Sequence, residues 1–425
     1  MDSQRYSFEL AEELDTADSL AGFRDQFHVP QPDGKDELYF VGNSLGLQPK
    51  LTAEYLQQEL EQWASLGVRG HFEGDYPWMP YHEFLTETMA ELVGGHPDEV
   101  VMMNSLTVNL HLMMASFYRP NSQRHKILIE DHAFPSDHYA VESQIKWHGL
   151  EPEKSLVLAK PDSGEETLRT EKVLDLIREH RDELALVMLP GVQYYTGQCF
   201  DMKAIAEVAR EHEITVGFDL AHAAGNVAMA LHEWGVDFAV WCSYKYLNSG
   251  PGSVAGCFVH RRHASNPDLN RLAGWWGHDK STRFKMINEF MPIQTAEGWQ
   301  LSNPPILSLA AIRASLDVFR QAGGMKPLRE KSEKLTSFLL GSLKQELGGR
   351  VRSITPESPG ARGCQLSLEI HLDDVEGRTV YEKLEATGVR TDWREPNVIR
   401  AAPVPLYNRF EETWEFTQRL KQILN

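Results

Sequence analysis

The chain has 425 residues, of which 42% are hydrophobic and 24% are charged, a balance typical of globular proteins with a large core. Its formal net charge of −19 disfavours nucleic acid as a partner, because a negative surface repels phosphate backbones. No apolar run approaches the about 20 residues of a membrane helix, and the acidic N-terminus does not match a secretory signal, so we expect a cytoplasmic protein with no membrane partner. The four cysteines form no C-x-x-C pair, so we expect neither a metal site nor a disulfide framework.

Two amphipathic helices are predicted in the first hundred residues. The first runs from about Leu51 to Leu66, where Leu56, Leu60 and Trp63 recur at helical spacing. The second runs from about Tyr81 to Val93 and ends before the pair GG, which is a common helix stop. Both helices precede the first strand-like run.

Short apolar runs then alternate with helical patterns. The strand-like runs are EVVMMN, HKILIED, ALVMLPG, EITVGFDLAH, VDFAVWCS and SVAGCFVHRR, and the helical stretches between them are SLTVNLHLMMASF, PSDHYAVESQIKWHG and MKAIAEVAREH. Such alternation predicts a mainly parallel sheet covered by helices on both faces. Ligands of these sheets bind at the carboxyl ends of the strands.

The pattern changes after LSNPPI. Helices are predicted at about Leu307–Gln321 and Lys326–Leu347, followed by the alternating strand CQLSLEIHL, a helix near Val375–Ala386, short strands and a last helix that ends at Leu424. This succession predicts a smaller α+β domain at the C-terminus.

Three glycines, Gly250, Gly252 and Gly256, form the pattern G-x-G-x-x-x-G. A dinucleotide fingerprint requires a helix directly after its glycine turn, and the segment that follows here has a strand-like pattern. No acidic residue stands about 20 residues further on in a βαβ context. The glycines therefore predict a tight turn between two strands, and a nicotinamide or flavin site is not expected.

Lys245 stands in the aromatic segment WCSYKYLN, 26 residues after Asp219 (245 − 219), which ends an apolar strand. Alone, Asp219 and His222 would more often be a helix cap and a packed histidine. The spacing to Lys245 allows one connection to a neighbouring strand, so that both side chains lie at the same sheet edge. A lysine and a carboxylate suit pyridoxal phosphate, since the lysine condenses with its aldehyde and the carboxylate keeps its ring nitrogen protonated.

Two further segments offer partners for such a cofactor. Residues 104–107, NSLT, lie between a strand and a helix, and helix N-termini bind anions such as phosphate. In HAFPSDHY, Phe134 could stack on a flat ring beside Ser136 and Asp137. Each segment alone is more simply an ordinary helix cap. Together, at strand ends of one sheet, they predict a cofactor site.

In these residues the chain resembles the kynureninase family, whose members are fold-type-I pyridoxal-phosphate enzymes of the class V aminotransferase group. The motifs that carry the resemblance keep the family's order: GNSLGLQPK, MNSLTVNLHL, FPSDHYA, GVQYYTGQ, GFDLAHAAGN, WCSYKYLN, GWWGH, STRFKM, SNPPI, RGCQLSL and IRAAPVPLYN. They cover nearly the whole chain.

The resemblance implies an α/β fold of the fold-type-I transferase kind. It has a large domain with a mainly parallel, seven-stranded sheet between helices, and a smaller α+β C-terminal domain. We expect an N-terminal arm at 1–60, the cofactor-binding domain at 61–305 and the small domain at 306–425. The implied assembly is a homodimer with shared active sites. The implied reaction, in tryptophan degradation and NAD biosynthesis, is hydrolysis of L-kynurenine to anthranilate and L-alanine. The resemblance also implies 3-hydroxykynurenine as a possible second substrate, which would give 3-hydroxyanthranilate and L-alanine.

The resemblance also implies a role for each site residue. The catalytic residues are Lys245, Tyr244 and Asp219; the pyridoxal phosphate contacts are Leu106, Thr107, Phe134, Pro135, Ser136, Asp137, Asp219, His222, Tyr244, Lys245, Trp275 and Asn303; and the substrate contacts are Arg400, His71, Ser44 and Asn303. Without the resemblance, Arg400 would be a surface arginine before a strand, and His71 a structural histidine. Tyr244 is either a proton relay or only a hydrogen-bond donor to the phosphate.

One departure from the family and two alternatives remain. Pro190 stands where relatives often have a serine that contacts the cofactor, so a side-chain hydrogen bond is lost there. A cysteine desulfurase or aminotransferase on the same scaffold is the nearest alternative, but Cys364, the candidate nucleophile, is expected to be buried in a strand and inert. A non-catalytic pyridoxal-phosphate-binding regulator is the other.

Overall fold

Short strands and helices precede the central sheet in the computed structural model, which describes residues 6–266, 268–371 and 376–425. They are α1 (Phe8–Thr16), β1 (Phe27–His28), β2 (Leu38–Tyr39), β3 (Gln48–Pro49), α2 (Leu51–Leu66) and α3 (Thr86–Val93). The bounds of α2 match the prediction, but Leu60 and Trp63 on its apolar face remain 43% and 62% exposed. The second helix begins as a 3₁₀ turn at Tyr81–Leu85 and continues as α3, which ends at the left-handed Gly94.

The middle of the chain alternates strands and helices as predicted. Its elements are β4 (Val100–Met102), α4 (Leu106–Phe117), β5 (Lys126–Glu130), α5 (Pro135–Trp147), α6 (Pro152–Ser155), β6 (Leu156–Ala159), α7 (Thr170–Glu179), β7 (Leu184–Pro190), α8 (Met202–Glu211), β8 (Thr215–Asp219), α9 (Leu231–Trp234), β9 (Phe238–Trp241) and β10 (Gly256–Val259). The strands β4 to β10 form one seven-stranded sheet in the order β4-β10-β9-β8-β7-β5-β6. The edge strand β6 and the helix α7 were missed by the sequence analysis.

The sheet is mainly parallel, as predicted. Its β5, β6, β7, β8 and β9 pair in parallel, whereas β10 is antiparallel to both of its neighbours, β4 and β9. The glycine segment before β10 is therefore a strand-to-strand connection and not a dinucleotide loop. In β7 and β8, Pro190 lies opposite Asp219, so both residues reach the carboxyl edge of the sheet together.

Alternate residues of the strands are buried on opposite faces. In β5, Leu128 packs into one apolar core, while Ile127 and Ile129 pack into the other. In β7, Val187 and Leu189 likewise face the first core. A sheet buried on both faces explains why its strands are continuous apolar runs.

The C-terminal part is an α+β unit, as predicted. It contains α10 (Ile306–Gln321), α11 (Met325–Leu347), β11 (Val351–Ser353), β12 (Leu366–Ile370), α12 (Gly377–Ala386), β13 (Val389–Arg390), β14 (Asp392–Arg394), β15 (Val398–Ala401) and α13 (Phe410–Leu424). Four strands form a sheet in the order β11-β12-β15-β14, and β13 pairs in parallel with β2 near the N-terminus. The predicted helix near Val375 begins at Gly377, and Val375 itself lies outside the described residues. Within the described part of the chain, no helix combines the length and apolar character needed to cross a membrane.

Candidate active site

A pocket opens at the carboxyl edge of the seven-stranded sheet, where the ends of β4, β5, β7, β8 and β9 meet. It is lined by Leu106, Thr107, Glu130, Phe134, Ser136, Asp137, Pro190, Val192, Tyr194, Asp219, Ala221, His222, Tyr244 and Lys245. Most of the residues that the sequence analysis assigned to a cofactor are in this set. They come from six separate segments of the chain, and the parallel topology brings them together.

Lys245 projects into the pocket from the loop after β9. Its Nζ lies 3.0 Å from Nε2 of His222 and about 6.0 Å from the ring centres of Phe134 and Tyr244. Burial, then the positive charge of Lys245, lowers the pKa of His222 well below its usual value. His222 is therefore neutral, and its Nε2 accepts the hydrogen bond from the lysine.

Asp219 and Asp137 form a pair of carboxyl groups at the floor of the pocket. Burial raises the pKa of Asp137 well above its usual value, and the charge of Asp219 raises it further. Burial also raises the pKa of Asp219, whereas hydrogen bonds from Asp137 and from the Ala221 amide, 2.7 Å away, lower it. Two carboxylates cannot share a hydrogen bond without a proton, so Asp137 holds the proton and Asp219 is the charged member.

Two helix N-termini face the other end of the pocket. Leu106 begins α4 and Pro135 begins α5, and the Thr107 and Ser136 hydroxyls lie 3.0 Å apart between them. Free amides and hydroxyl groups at helix N-termini favour an anion such as a phosphate group. Pro135 starts α5 but is exposed and does not line the pocket.

Tyr244 also lines the pocket and lies beside the lysine in sequence. Burial raises the pKa of Tyr244, and Cys242 raises it further through its charge and a hydrogen bond. The phenol is therefore protonated over the whole physiological range and can serve as a hydrogen-bond donor. Pro190, also a wall residue, offers no side-chain donor at the end of β7, as expected from the sequence.

Arg400 approaches the pocket from β15 of the C-terminal sheet. It is 1% exposed, so its interpretation as a surface arginine is wrong. It donates to the carbonyl of the pocket residue Tyr194 at 2.6 Å and forms an ion pair with Asp392, while its buried Nε has no hydrogen-bond partner. The positive charge of Arg400 also lowers the pKa of His222. Both terminal nitrogens of Arg400 are thus engaged, and Nε is the donor left without a partner.

The segment GNSLG reaches the catalytic loop from the N-terminal side. The Gly46 amide donates to the carbonyl of Tyr244 at 2.9 Å. A Cβ on Gly46 would lie 2.3 Å from the carbonyl oxygen of Lys245 and 2.2 Å from Oδ1 of Asn248, so only glycine fits at this contact. Ser44, two residues earlier, is exposed beside this contact.

Besides Pro135, Ser44 and Arg400, three more predicted site residues do not line the pocket of the single chain. Trp275 is 40% exposed and donates to the carbonyl of Arg283, Asn303 is exposed, and the His71 ring packs edge-on against Trp78. The sequence analysis missed four wall residues of the pocket, Glu130, Val192, Tyr194 and Ala221. Glu130 had a signal, since it is an acidic residue that ends an apolar strand of the sheet.

Sequence comparisons decide the family. A family model described as the kynureninase C-terminal domain matches residues 328–420. The kynureninase of Koribacter versatilis is 54% identical over 417 residues, which cover 98% of this chain and 97% of that protein. This chain belongs to the kynureninase family. The kynureninases of Myxococcus xanthus, 55% identical over 97% of this chain and 96% of that protein, and of Xanthomonas campestris, 53% identical over 96% of each, agree.

Other comparisons place the kynureninase family fold among its structural relatives. The model of the DegT/DnrJ/EryC1/StrS aminotransferase family matches residues 78–233. A solved C-DES variant with glycine covalently linked to its PLP cofactor has a TM-score of 0.77 at 18% identity, over 94% of this chain and 98% of that one. The cysteine desulfurase CsdA from Escherichia coli has a TM-score of 0.76 at 16% identity, over 96% and 98%. The predicted family and the fold-type-I fold are both confirmed.

Proposed function

We propose that the chain hydrolyses the Cβ–Cγ bond of L-kynurenine to give anthranilate and L-alanine, with 3-hydroxykynurenine as a second substrate. The observation that carries the proposal is the identity of 53–55% with proteins named kynureninase over nearly the whole chain. Lys245 and Asp219 line one pocket and Arg400 donates to its wall residue Tyr194, and this arrangement supports the proposal.

The pocket fits pyridoxal phosphate on its own chemistry. A primary amine is offered by Lys245, a charged buried carboxylate by Asp219, and paired helix N-termini with hydroxyl groups by α4 and α5. Nδ1 of His222 and Oδ1 of Asp137 are buried without hydrogen-bond partners, as expected of a wall that receives a polar ligand. When bound, the cofactor supplies an electron-withdrawing ring that stabilises negative charge at the carbon next to the amino group.

Different residues of the pocket would contact different parts of the cofactor. Thr107, Ser136 and the amides of the two helix N-termini would hold the phosphate, Phe134 would pack on the ring, and Asp219 would bind the ring nitrogen. The neutral imidazole of His222 would lie beside the ring. These roles follow from the positions of donors, acceptors and rings around the pocket.

Lys245 and Tyr244 move protons. The Nζ of Lys245 removes the α-proton of the amino acid, because it is the amine that faces the pocket. Tyr244 has its pKa raised by burial and so keeps its proton, which makes the phenol the donor toward the carbon that anthranilate leaves. The arrangement supports the relay role of Tyr244 alongside hydrogen bonding to the phosphate.

Arg400 binds the carboxylate of the amino acid substrate. A guanidinium can present two parallel N–H donors to a carboxylate, which an ammonium cannot imitate. Its anchor to Asp392 and Tyr194 orients the group, and its unpartnered Nε marks the edge left for the ligand.

The site is completed by a second copy of the chain. Trp275 and Asn303 are exposed away from the pocket, and the apolar side chains Leu60, Trp63, Val68 and Phe72 are exposed on and after α2. A homodimer covers this surface and brings Trp275 and Asn303 to the partner's pocket, with His71 and Ser44 at the aromatic part of the substrate. The division into an arm at 1–60, a cofactor domain at 61–305 and a small domain at 306–425, and a cytoplasmic location, belong to the same proposal.

A desulfurase activity is not favoured by the thiols. Cys364 is fully buried two residues before β12, and burial raises its pKa to about 12. A thiol that stays protonated inside the protein is a poor nucleophile. The expected inertness of Cys364 agrees with this environment.

The test is a spectrum followed by a product assay. The purified protein is expected to show a visible cofactor band and to release fluorescent anthranilate when L-kynurenine is added, with no sulfide from L-cysteine. A band with sulfide but no anthranilate would favour the desulfurase alternative. A band with neither product would favour a regulator, and no band after addition of pyridoxal phosphate would refute the proposal.

A further inference from the structure

Glu130 is a buried carboxyl group in the pocket wall that the proposed chemistry does not use. It ends β5 at the carboxyl edge of the sheet and is 3% exposed. Its hydrogen bond is a long one, 3.5 Å from Nε2 of Gln193. Across the described ranges, no lysine, arginine or histidine forms an ion pair with it. Burial accordingly raises the pKa of Glu130 to about 8.

Glu130 separates the pocket from a second cavity of about 310 Å³. The two spaces share two wall residues, Glu130 and Tyr194. The second cavity reaches solvent, since the side chains of His132 and Glu166 in its wall are 76% and 44% exposed. Water on that side can therefore exchange protons with Glu130 without passing through the catalytic pocket.

The groups that face Glu130 come from three elements. Asp137 of α5, Tyr194 of the turn after β7 and Asp219 at the end of β8 line the same pocket as Glu130, and Gln193 of that turn donates to Glu130. Asp137 holds its proton chiefly because it is buried, then because of Asp219, and then because of the charge of Glu130. Lys245 acts in the opposite direction on Asp137 from across the pocket. An ionised Glu130 thus raises the pKa of Asp137, so that Asp137 retains the proton that it shares with Asp219.

We propose that Glu130 is a positioning residue that exchanges its proton with solvent through the second cavity and so sets the charge at the floor of the catalytic pocket, acting through the Asp137–Asp219 pair. With Glu130 protonated, the floor carries the single charge of Asp219. When the Glu130 proton leaves to water of the second cavity, the floor carries two negative charges and the Asp137 proton is held more tightly. The consequence for the cofactor rests on the proposed function, because it requires Asp219 to meet the ring.

The first test uses the cofactor-free protein and Glu130→Gln. A carboxyl group whose pKa is higher in the folded than in the unfolded state stabilises the fold at low pH, and this contribution is lost as pH rises from about 4.5 toward 8. The melting temperature of wild type should therefore fall relative to that of Glu130→Gln between about pH 4.5 and 8. Glu166→Gln, a change in the same cavity at an exposed side chain, should keep the wild-type slope, and parallel slopes for all three proteins would overturn the proposal.

The second test uses the cofactor-loaded protein. The midpoint of the pH titration of the visible band should shift in Glu130→Gln and stay in place in Glu166→Gln. Glu130→Asp retains a carboxyl group and should restore a pH-dependent transition, which also covers the case in which the glutamine variant folds poorly. Unchanged midpoints in both Glu130 variants would refute the proposal. Failure of the proposed function would be distinguishable from failure of this proposal. The visible cofactor band would be missing, while the slopes of melting temperature against pH would still differ between wild type and Glu130→Gln.

Discussion

The Nζ of Lys245 lies 3.0 Å from Nε2 of His222, and the other ring nitrogen of His222 is buried without a partner. The two side chains come from loops after neighbouring parallel strands, β9 and β8. Because burial and the lysine charge both oppose protonation of the imidazole, the histidine acts as an acceptor and keeps the amine pointed into the pocket.

The stability of the cofactor-free protein should report the neutral state of His222. Its folded-state pKa lies below its usual value of 6.5, so the unfolded chain binds a proton that the folded chain does not. Stability is therefore lost as pH falls below about 6.5, and His222→Gln should flatten this part of the curve of melting temperature against pH. An unaltered slope in His222→Gln would contradict this account.

Replacement of Lys245 by glutamine should abolish turnover while the protein remains folded. Loss of a positioned proton-transfer group lowers rates by about 10²–10⁴-fold, and here the amine that holds the cofactor is lost as well. The measurements are anthranilate fluorescence, the visible band and circular dichroism. Lys146→Gln, at a side chain 61% exposed on α5, is the matched control and should keep wild-type activity.

Arg400→Lys should raise KM for L-kynurenine more than it lowers kcat. A charge-assisted hydrogen bond contributes about 1.5–3 kcal/mol, so loss of one of two parallel bonds predicts a rise in KM of roughly tenfold or more. Arg394→Lys changes the other arginine paired with Asp392, 3.1 Å away, and controls for disturbance of that ion pair. Equal effects of the two variants on KM would argue against a substrate role for Arg400.

Gly46→Ala should destabilise the loop that carries Lys245. The added Cβ would lie 2.3 Å from the backbone oxygen of Lys245, and backbone cannot move aside as a flexible side chain can. Overpacking of this kind costs about 1–3 kcal/mol, and we expect a lower melting temperature together with weaker cofactor binding. Gly22→Ala is the control, because no atom lies within 4 Å of the added Cβ. Normal cofactor affinity in Gly46→Ala would show that the contact does not position the lysine.

Trp63→Arg should weaken the proposed dimer. Trp63 is 62% exposed on the apolar face of α2, and a charge placed in a dimer interface must be desolvated. Sedimentation velocity should show more monomer, and anthranilate release should fall because the site lacks its second copy. Trp147→Arg, at a side chain 85% exposed on α5, should leave both unchanged. A fully dimeric and active Trp63→Arg protein would place the interface elsewhere.

Much of the fold was predictable because its strands carry a strong local signal. Runs such as that of β7 are apolar throughout, since both faces of the sheet are buried, and α3 shows its buried face at regular spacing. The strand β6 and the helix α7 were missed because they lack such a signal. The strand β6 is four residues long at the sheet edge, and α7 buries only Val173 and Ile177, so neither has a long apolar pattern.

The sequence by itself determined the chemistry-bearing residue types, their order and the family, because motifs around Lys245, Asp219 and Arg400 are local in the chain. Only the tertiary structure decided how they meet. The parallel register places Pro190 beside Asp219 at one edge, and β15 carries Arg400 to the pocket from a different sheet. Burial likewise is a property of the folded state, so the neutral His222, the proton on Asp137 and the raised pKa of Glu130 arise only where distant segments exclude water together.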